Sequence, residues 1–287
     1  MKKKILLSLV GVLFLLNIFV WQEVFNLAEG DNLKVNFLNI GQGDSVFIET
    51  PQLHQIIIDG GPYSTVLEKL QKLMPFYDKT IDVVILTHPD KDHLEGLLEV
   101  LQRYKIDYIL WTGIVRDGDL YQKWISLLEK SEKKGTKIIK AKLNQEIKAG
   151  DVVIDTLHPF EDLTDKEFGN KDNDTGIISR LIFGKNTFLF TGDISSKVEK
   201  ELVSKEIYLK SDVLKVAHHG SKYSTSDEFL KMVEPKIAVI SVGKNSYGHP
   251  TSEVLQRLKI FGIHILRTDK DEDVKIISDG NNLKVVR

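Results

Sequence analysis

Six residues near position 90, with the sequence HPDKDH, place two imidazoles and two carboxylates within less than two helical turns. The apolar, β-branched run 81–87 before them predicts a buried strand, and the leucines at 94, 97, 98 and 101 repeat at helical spacing. The turn therefore lies at the C-terminal end of a strand, where the ligand-binding and catalytic residues of α/β sheets are usually found. Imidazole and carboxylate groups together suit Zn, Mn or Fe. The alternative interpretation is a charged, solvated turn.

Charge and cysteine content narrow the chemistry that is open to the chain. The 287 residues carry a net charge of −2, so no global basic field of the kind that marks nucleic-acid-binding proteins is present. The chain contains no cysteine, which excludes disulfides, thiolate metal sites and a cysteine nucleophile. A metal would have to be held by His, Asp, Glu or neutral oxygen donors.

The N-terminal segment differs in character from the rest. Lysines at positions 2–4 precede an uncharged, mostly apolar run from Ile5 to Trp21, about the minimum length for a helix that crosses a bilayer. No small-residue cleavage site follows, so we interpret the run as a signal anchor rather than a cleaved signal peptide or a buried helix. The lysines are expected in the cytoplasm and the rest outside, in a single-pass membrane protein. Residues 1–30 would form the stub, anchor and linker, and residues 31–287 one outer domain.

Strand and helix patterns alternate from Leu33 onward without a break in composition, which predicts one domain of the α/β class. Each half opens with hairpins and continues with β-α units. The predicted helices lie at 65–73, from the turn to about Arg103, and at 120–133, 229–233 and 254–261. Later strands are predicted in a hairpin over 176–190 and at 213–217, 237–242, 263–267 and 274–277. Two facing sheets with helices outside would bury this pattern.

Other ionisable residues stand just after apolar strands. They are Asp59, Asp193, the pair His218-His219, and His249. A buried carboxylate or imidazole without a partner is costly, so such residues usually converge on one another or on a metal. Each one alone is also consistent with a cap or a turn residue. In combination they predict a metal cluster, whereas His54 and His264 are interpreted as structural.

Five strings of sequence carry a resemblance to a known family: LNIGQGD at 38–44, THPDKDH at 87–93, TGD at 191–193, AHHGS at 217–221 and YGHP at 247–250. In this order they resemble the metallo-β-lactamase fold superfamily, from about Leu33 to the C-terminus. More narrowly they resemble the extracellular hydrolase domain of ComEC/Rec2 competence proteins. The resemblance implies a four-layer αββα sandwich with a metal site between the sheet edges. It also implies one or two divalent cations, Zn or Mn, with Mg as a further candidate.

The resemblance implies a role for each residue of the cluster. His88 and Asp90 would hold one metal ion and Asp92 and His93 the other, with Asp193 bridging and either His218 or His219 completing a site. Asp59 would brace the turn by hydrogen bonds from behind the ligands, as would Asp44. Asp90 departs from the common superfamily pattern, which has histidine there, and an oxygen donor favours harder ions such as Mn²⁺ or Mg²⁺. The position of the third ligand motif is open between His158 and the segment that contains Asn173 and Asp174, two residues that are also candidates for substrate binding.

The implied activity is metal-dependent hydrolysis, with water activated by the ions. Asp92 would orient the water or protonate the leaving group. The histidine of the 218–219 pair that is not a ligand could take the same role, and His219 is the candidate for it. His249 would stabilise charge on a phosphate. The stretch 220–225, with Ser221 and Lys222, predicts an anion site before a helix. Ordinary helix capping by Ser224, Thr225 or Ser226 is a second interpretation, and both can hold at once.

The anion site favours a phosphodiester as substrate, which makes the chain a candidate phosphodiesterase or nuclease with DNA as a candidate partner. Two alternatives remain open: a cell-surface phosphodiesterase that acts on lipid or wall polymers, and a low-activity binding module with the same fold. The membrane is a partner through the N-terminal helix, and no obligate protein partner is evident from the sequence.

Overall fold

The computed structural model describes residues 2–28 and 32–286. Helix α1 (Lys2–Ala28) comes first, and its segment Lys3–Trp21 is long and apolar enough to cross a membrane. This segment is not buried against the rest of the chain. The predicted boundary between residues 30 and 31 lies outside the described residues.

The first sheet contains eight of the described strands. Numbered along the chain, they are β1 (Leu33–Phe37), β2 (Val46–Glu49), β3 (Gln55–Ile58), β4 (Thr80–Ile85), β5 (Lys105–Trp111), β6 (Lys137–Lys140), β14 (Val274–Ser278) and β15 (Leu283–Val286). Their order across the sheet is β15-β14-β1-β2-β3-β4-β5-β6. Neighbours from β15 to β3 are antiparallel, and those from β3 to β6 are parallel.

Seven further strands form the second sheet. They are β7 (Glu146–Ala149), β8 (Val152–His158), β9 (Ile178–Phe183), β10 (Asn186–Phe190), β11 (Val213–Lys215), β12 (Ile237–Ile240) and β13 (His264–Arg267). Their order is β13-β12-β11-β10-β9-β8-β7. Strands β10 to β13 run parallel, so their carboxyl ends meet at one edge.

Helices cover the outer face of each sheet. The first sheet carries α2 (Thr65–Leu73), α3 (Lys91–Arg103) and α4 (Asp119–Lys133), and the second carries α5 (Ser196–Ser204), α6 (Asp227–Val233) and α7 (Ser252–Ile260); the short α8 (Thr268–Asp271) follows β13. A central apolar core lies between the sheets, where the Phe37 and Phe190 rings are 6.1 Å apart. The described domain is therefore a four-layer αββα sandwich, as predicted.

The second half of β4, from Val83 to Ile85, is apolar because both faces of the strand are buried there. Val83 and Ile85 contribute to the core between the sheets, whereas Val84 packs beneath the helices. The predicted bounds of α2 agree with the structure, and α3 ends at Arg103 as expected. The strand predicted over 213–217 ends at Lys215, because residues 217–220 form a 3₁₀ turn.

Candidate metal centre

The turn after β4 is held by backbone hydrogen bonds to two neighbouring loops. The amide of Asp44 donates to the carbonyl of Asp92 (3.1 Å), and the amide of Gly60 donates to the carbonyl of His93 (2.7 Å). Gly43 has a φ of +142°, and a side chain there would overlap the carbonyl oxygen of Asp92. The glycine allows the first loop to approach the turn and to deliver Asp44 behind it.

Three buried imidazoles, those of His88, His93 and His219, converge at this edge of the sandwich. The ring centroids of His88 and His93 are 4.1 Å apart, and those of His93 and His219 are 5.6 Å apart. The Nε2 atom of each ring is buried and has no hydrogen-bond partner among the described residues. Buried polar atoms are normally satisfied, so three orphaned nitrogens in one place indicate a site for a cation.

The Nδ1 atoms determine which nitrogen of each ring carries the proton. They face Ser241 O for His219 (2.8 Å), Asp59 Oδ2 for His93 (2.8 Å) and Thr87 Oγ1 for His88 (3.0 Å). A carbonyl or carboxylate oxygen can only accept. The Thr87 hydroxyl donates to Asp59 (2.6 Å), so its oxygen is left to accept from the ring of His88. Each ring therefore holds a proton on Nδ1, and its Nε2 is oriented toward the site.

Two carboxylates face these nitrogens. Asp193 Oδ2 lies 3.3 Å from Nε2 of both His93 and His219, and Asp92 Oδ2 lies 3.3 Å from Nε2 of His219. Burial opposes charge here, but the carboxylates of Asp193 and Asp59 raise the pKa of His93 well above its usual value. Burial likewise opposes ionisation of Asp193, yet His219 and His93 hold its pKa well below its usual value. The site favours positive charge at Nε2, whether it comes from a proton or from a divalent cation.

Four sets of three side chains bring ligand atoms within 4.8 Å of one another: His88-His93-Asp193, Asp92-His93-His219, Asp44-Asp193-His219 and Asp44-Asp59-His93. The first two sets use the orphaned Nε2 atoms and fit a cation. Asp59 and Asp44 face the Nδ1 side, behind the rings. Nitrogen and carboxylate donors in this mixture suit Zn²⁺ or Mn²⁺.

Asp90 belongs to none of these four sets. One of its oxygens is 3.6 Å from His88 Nε2, and the other forms an ion pair with Arg116. Arg116 also donates to the carbonyl of Pro89 (3.0 Å), and its Nε lies 3.1 Å from the buried Asp172. Burial opposes ionisation of Asp90, but the neighbouring His88 and the Arg116 guanidinium lower its pKa. Asp90, which was predicted to hold a metal ion together with His88, therefore also contacts Arg116. The sequence analysis did not identify this arginine.

Lys215, at the end of β11, is a buried cation inside the site and was also missed. Its ammonium contacts the carboxylate of Asp44, donates to the carbonyl of Gly192 (3.0 Å) and lies 3.6 Å from Asp193 Oδ1. Burial opposes its charge, but Asp44 and Asp193 raise its pKa. One oxygen of Asp193 therefore faces Lys215, and the other faces the imidazoles.

His218 and His249 line the open side of the site. The side chain of His218 is 34% exposed, and its Nε2 lies 3.9 Å from Asp193 Oδ2. The rings of His218 and His249 meet edge to face at 5.5 Å. Burial lowers the pKa of His218, and burial together with the neighbouring His218 lowers the pKa of His249. Of the 218–219 pair, His219 points into the cluster, whereas His218 faces solvent.

The candidates for the third ligand motif lie outside the four sets. His158 donates from Nδ1 to the carbonyl of Gly176 (2.7 Å), and its ring packs edge to face on Phe160. Asp174 accepts from the amide of Ser195 (3.2 Å), two residues after Asp193, and so supports that loop. Asn173 accepts from the amide of Gly176 through its carbonyl (3.1 Å). His158 belongs to none of the four sets, and its role as a ligand stays a prediction.

Within the stretch 220–225, for which an anion site is predicted, the amide nearest the helix already has a partner. The carboxylate of Glu199 accepts from the amides of Thr225 and Ser226, and the Ser226 hydroxyl caps α6 by accepting from Phe229. The predicted helix capping is therefore present at Ser226, and an anion would have to bind to the residues before Thr225. Ser221 is buried, and the ammonium of Lys222 lies 5.2 Å from the ring centre of Tyr223.

Comparisons with known proteins agree with this geometry. The sequence profile of the metallo-beta-lactamase superfamily matches residues 38–244. ComE operon protein 3 of Bacillus subtilis is 33% identical over an alignment of 263 residues, which covers 84% of this chain and 32% of that protein. Competence protein ComA of Neisseria gonorrhoeae is 30% identical over 243 residues, 82% of this chain and 31% of that protein. The chain thus spans about a third of the length of these relatives.

A solved structure shares the fold. The metallo-beta-lactamase fold protein YhfI from Bacillus subtilis superposes with a TM-score of 0.57 at 18% identity, covering 86% of this chain and all of YhfI. With its αββα layers and its cluster at the carboxyl ends of the strands, the chain belongs to the metallo-beta-lactamase superfamily, and within it is similar to the ComEC/Rec2 competence proteins.

Proposed function

We propose that this protein is a metal-dependent hydrolase that cleaves phosphodiesters, with DNA as the candidate substrate. The observation that carries the proposal is the convergence of three buried, unpartnered Nε2 atoms beside Asp193 and Asp92. Such a set has the composition of a divalent cation site and leaves the His218 side open to solvent.

The residues that would hold the cation or cations are His88, His93, His219, Asp193 and Asp92. When bound there, a divalent ion supplies an activated water and stabilises negative charge on a phosphate oxygen. Lys215 would keep Asp193 in position, and Asp44 would do the same for the His219 ring. Each contacts its neighbour from the buried side, and Lys215 and Asp44 also contact each other. Asp59 does the same for His93 and, through Thr87, for His88.

Proton transfer is assigned to the more exposed side chains. The Asp92 side chain is 34% exposed and would orient the attacking water. His218, rather than the buried His219, would exchange a proton with the leaving group, because its side chain is 34% exposed and its Nε2 lies 3.9 Å from Asp193 Oδ2. His249 lies against His218 and would contact the phosphate, with Ser221 and Lys222 as further candidates for substrate binding.

The substrate class rests on resemblance as well as on the site. The relatives include a competence protein and a product of the ComE operon, and the resemblance to the ComEC/Rec2 hydrolase domain implies DNA near the cell surface. We also propose that α1 anchors the chain in a membrane with the catalytic domain outside the cytoplasm. One observation favours the alternative of a binding module with little turnover: Arg116 competes with a metal ion for Asp90.

The test is elemental analysis of the purified protein together with assays on single-stranded DNA and bis-p-nitrophenyl phosphate in Mn²⁺ or Zn²⁺. Asp92→Ala is expected to lose turnover by about 100-fold or more and to lower the metal content. The matched control is Asp107→Ala, which removes an exposed carboxylate paired with Lys105 in β5, away from the turn. It should change neither quantity.

Each alternative predicts a different result. A binding module keeps its ligand and shows no metal-dependent turnover in either the parent or the Asp92→Ala protein. A nuclease shows DNA binding that weakens steeply with salt, whereas a small phosphodiester substrate does not give such a slope. Absence of bound metal in the parent protein after loading with either ion would refute the hydrolase assignment.

A further inference from the structure

A group of exposed apolar side chains lies at the amino ends of the first-sheet strands. Phe76 and Tyr77, between α2 and β4, are 78% and 54% exposed, and Leu53, in the turn between β2 and β3, is 50% exposed. The two rings meet edge to face at 5.3 Å. Large apolar side chains that cluster in this way on a surface commonly mark an interaction site. We call this group the amino-edge surface.

The surroundings of the amino-edge surface carry excess positive charge. The cavity that Leu53, Phe76 and Tyr77 line is also lined by four charged residues: Lys34, Lys72, Lys275 and Glu49. Lys34 is paired with Glu49 at 3.0 Å. Aromatic side chains next to lysines are the combination found where proteins rest on lipid headgroups, since the rings enter the interface and the lysines attract anionic lipids.

The course of the chain brings the N-terminal helix to the same edge. Strand β1 begins at Leu33, five residues after α1 ends at Ala28, and Phe19 of α1 lines the same cavity. Strands β1, β3 and β4 run in the same direction, so their first residues share one edge of the sheet. A helix that crosses a membrane would therefore enter the domain beside the amino-edge surface.

The candidate metal centre lies at the opposite edge. The turn 88–93 follows the carboxyl end of β4, and Asp44 follows the carboxyl end of β1. A strand of six residues such as β4 is about 20 Å long. The two edges are therefore separated by roughly the length of the strands.

We propose that the amino-edge surface rests on the membrane that holds α1, with Leu53, Phe76 and Tyr77 in the headgroup region and the lysines against anionic lipids. The metal centre then faces away from the bilayer. In combination with the proposed function, on which this consequence rests, the orientation favours a polymer that arrives from the aqueous side over a phospholipid of the same membrane.

The absence of cysteine from the sequence makes a direct test possible. Phe76→Cys in the full chain gives a single site for an environment-sensitive fluorophore. Tyr247→Cys is the matched control, because Tyr247 is an aromatic residue that is 74% exposed and follows β12 at the carboxyl edge. Both proteins are placed in nanodiscs of phosphatidylcholine with or without phosphatidylglycerol, and the quenching by brominated acyl chains is measured.

Quenching at position 76 is expected to exceed that at position 247 by at least about twofold, as for a side chain at the acyl boundary. Adding Lys72→Glu to the Phe76→Cys protein should reduce it in discs with phosphatidylglycerol. Equal quenching at the two positions would overturn the proposal. A label at 76 that is shielded from iodide but not quenched by lipid would also overturn it, because a protein surface would then be the occupant. The measurement involves no turnover, so its failure leaves the hydrolase proposal intact.

Discussion

Replacing Lys215 with methionine is expected to lower the free energy of unfolding by about 3–5 kcal/mol, the usual cost of breaking a buried ion pair by removing one partner. The ammonium and the Asp44 carboxylate are 2% and 4% exposed, so water cannot replace either group. Methionine has nearly the same length and fills most of the space, so the loss comes from the charge and not from a cavity. Gly192 also loses a hydrogen bond to its carbonyl.

The assay is urea unfolding of the chelator-treated protein, followed by the fluorescence of the buried Trp111 and Trp124. Chelation is needed because a cation bound to the folded state would add stability of its own. The control is Lys210→Met, which removes a cation whose partner Glu234 is 58% exposed, so the unfolding midpoint should change little.

Adding Asp44→Asn to Lys215→Met should recover part of the lost stability, since the second change removes the unpaired buried charge. Equal unfolding midpoints for Lys215→Met and Lys210→Met would refute the reasoning. They would mean that Asp44 finds another partner or water once the ammonium is gone.

Two further perturbations test other parts of the sandwich. Burial raises the pKa of Glu199 above its ordinary 4.5, so this residue contributes stability that is present below pH 4.5 and is lost as pH rises through the folded-state value. Glu199→Gln should flatten the dependence of the urea midpoint on pH above 4.5. An unchanged slope would mean that the pH dependence does not come from Glu199. Gly96→Ala places a methyl group against the carbonyl of Gly60 and should cost about 1–3 kcal/mol, measured by the same unfolding assay. Gly11→Ala, in open space, should leave the midpoint unchanged.

The parts of the fold that were predictable are those in which the determining pattern is local. The strand, turn and helix from 81 to 103 follow from consecutive apolar residues and from leucines at helical spacing, and the structure has β4 and α3 there. The elements that went unrecognised have weaker patterns. Helix α5, for example, is short and starts in the polar sequence after Asp193, and β15 is a partly exposed edge strand.

The residues of the site that were missed have partners far away in the sequence. Lys215 follows two apolar residues in a strand, a position that predicts a solvent-facing side chain, but its carboxylate partner Asp44 arrives from the other sheet. Arg116 likewise stands in a loop with no motif and gains its role from Asp90 and Asp172. The spacing of apolar and polar residues along the chain does not predict such contacts, because they depend on how the two sheets pack against each other.

The site is divided between the two sheets, and this links metal binding to their packing. His88 and His93 come from the loop after β4, whereas Asp193 and His219 follow β10 and β11. The proton on His93 is fixed within the first sheet by Asp59, and that on His219 within the second by Ser241. Each sheet therefore orients its own imidazoles, but only the packed sandwich brings the Nε2 atom of His93 to Asp193 of the second sheet. Since the complete donor set exists only in the folded state, a cation bound there adds its binding free energy to the association of the two sheets.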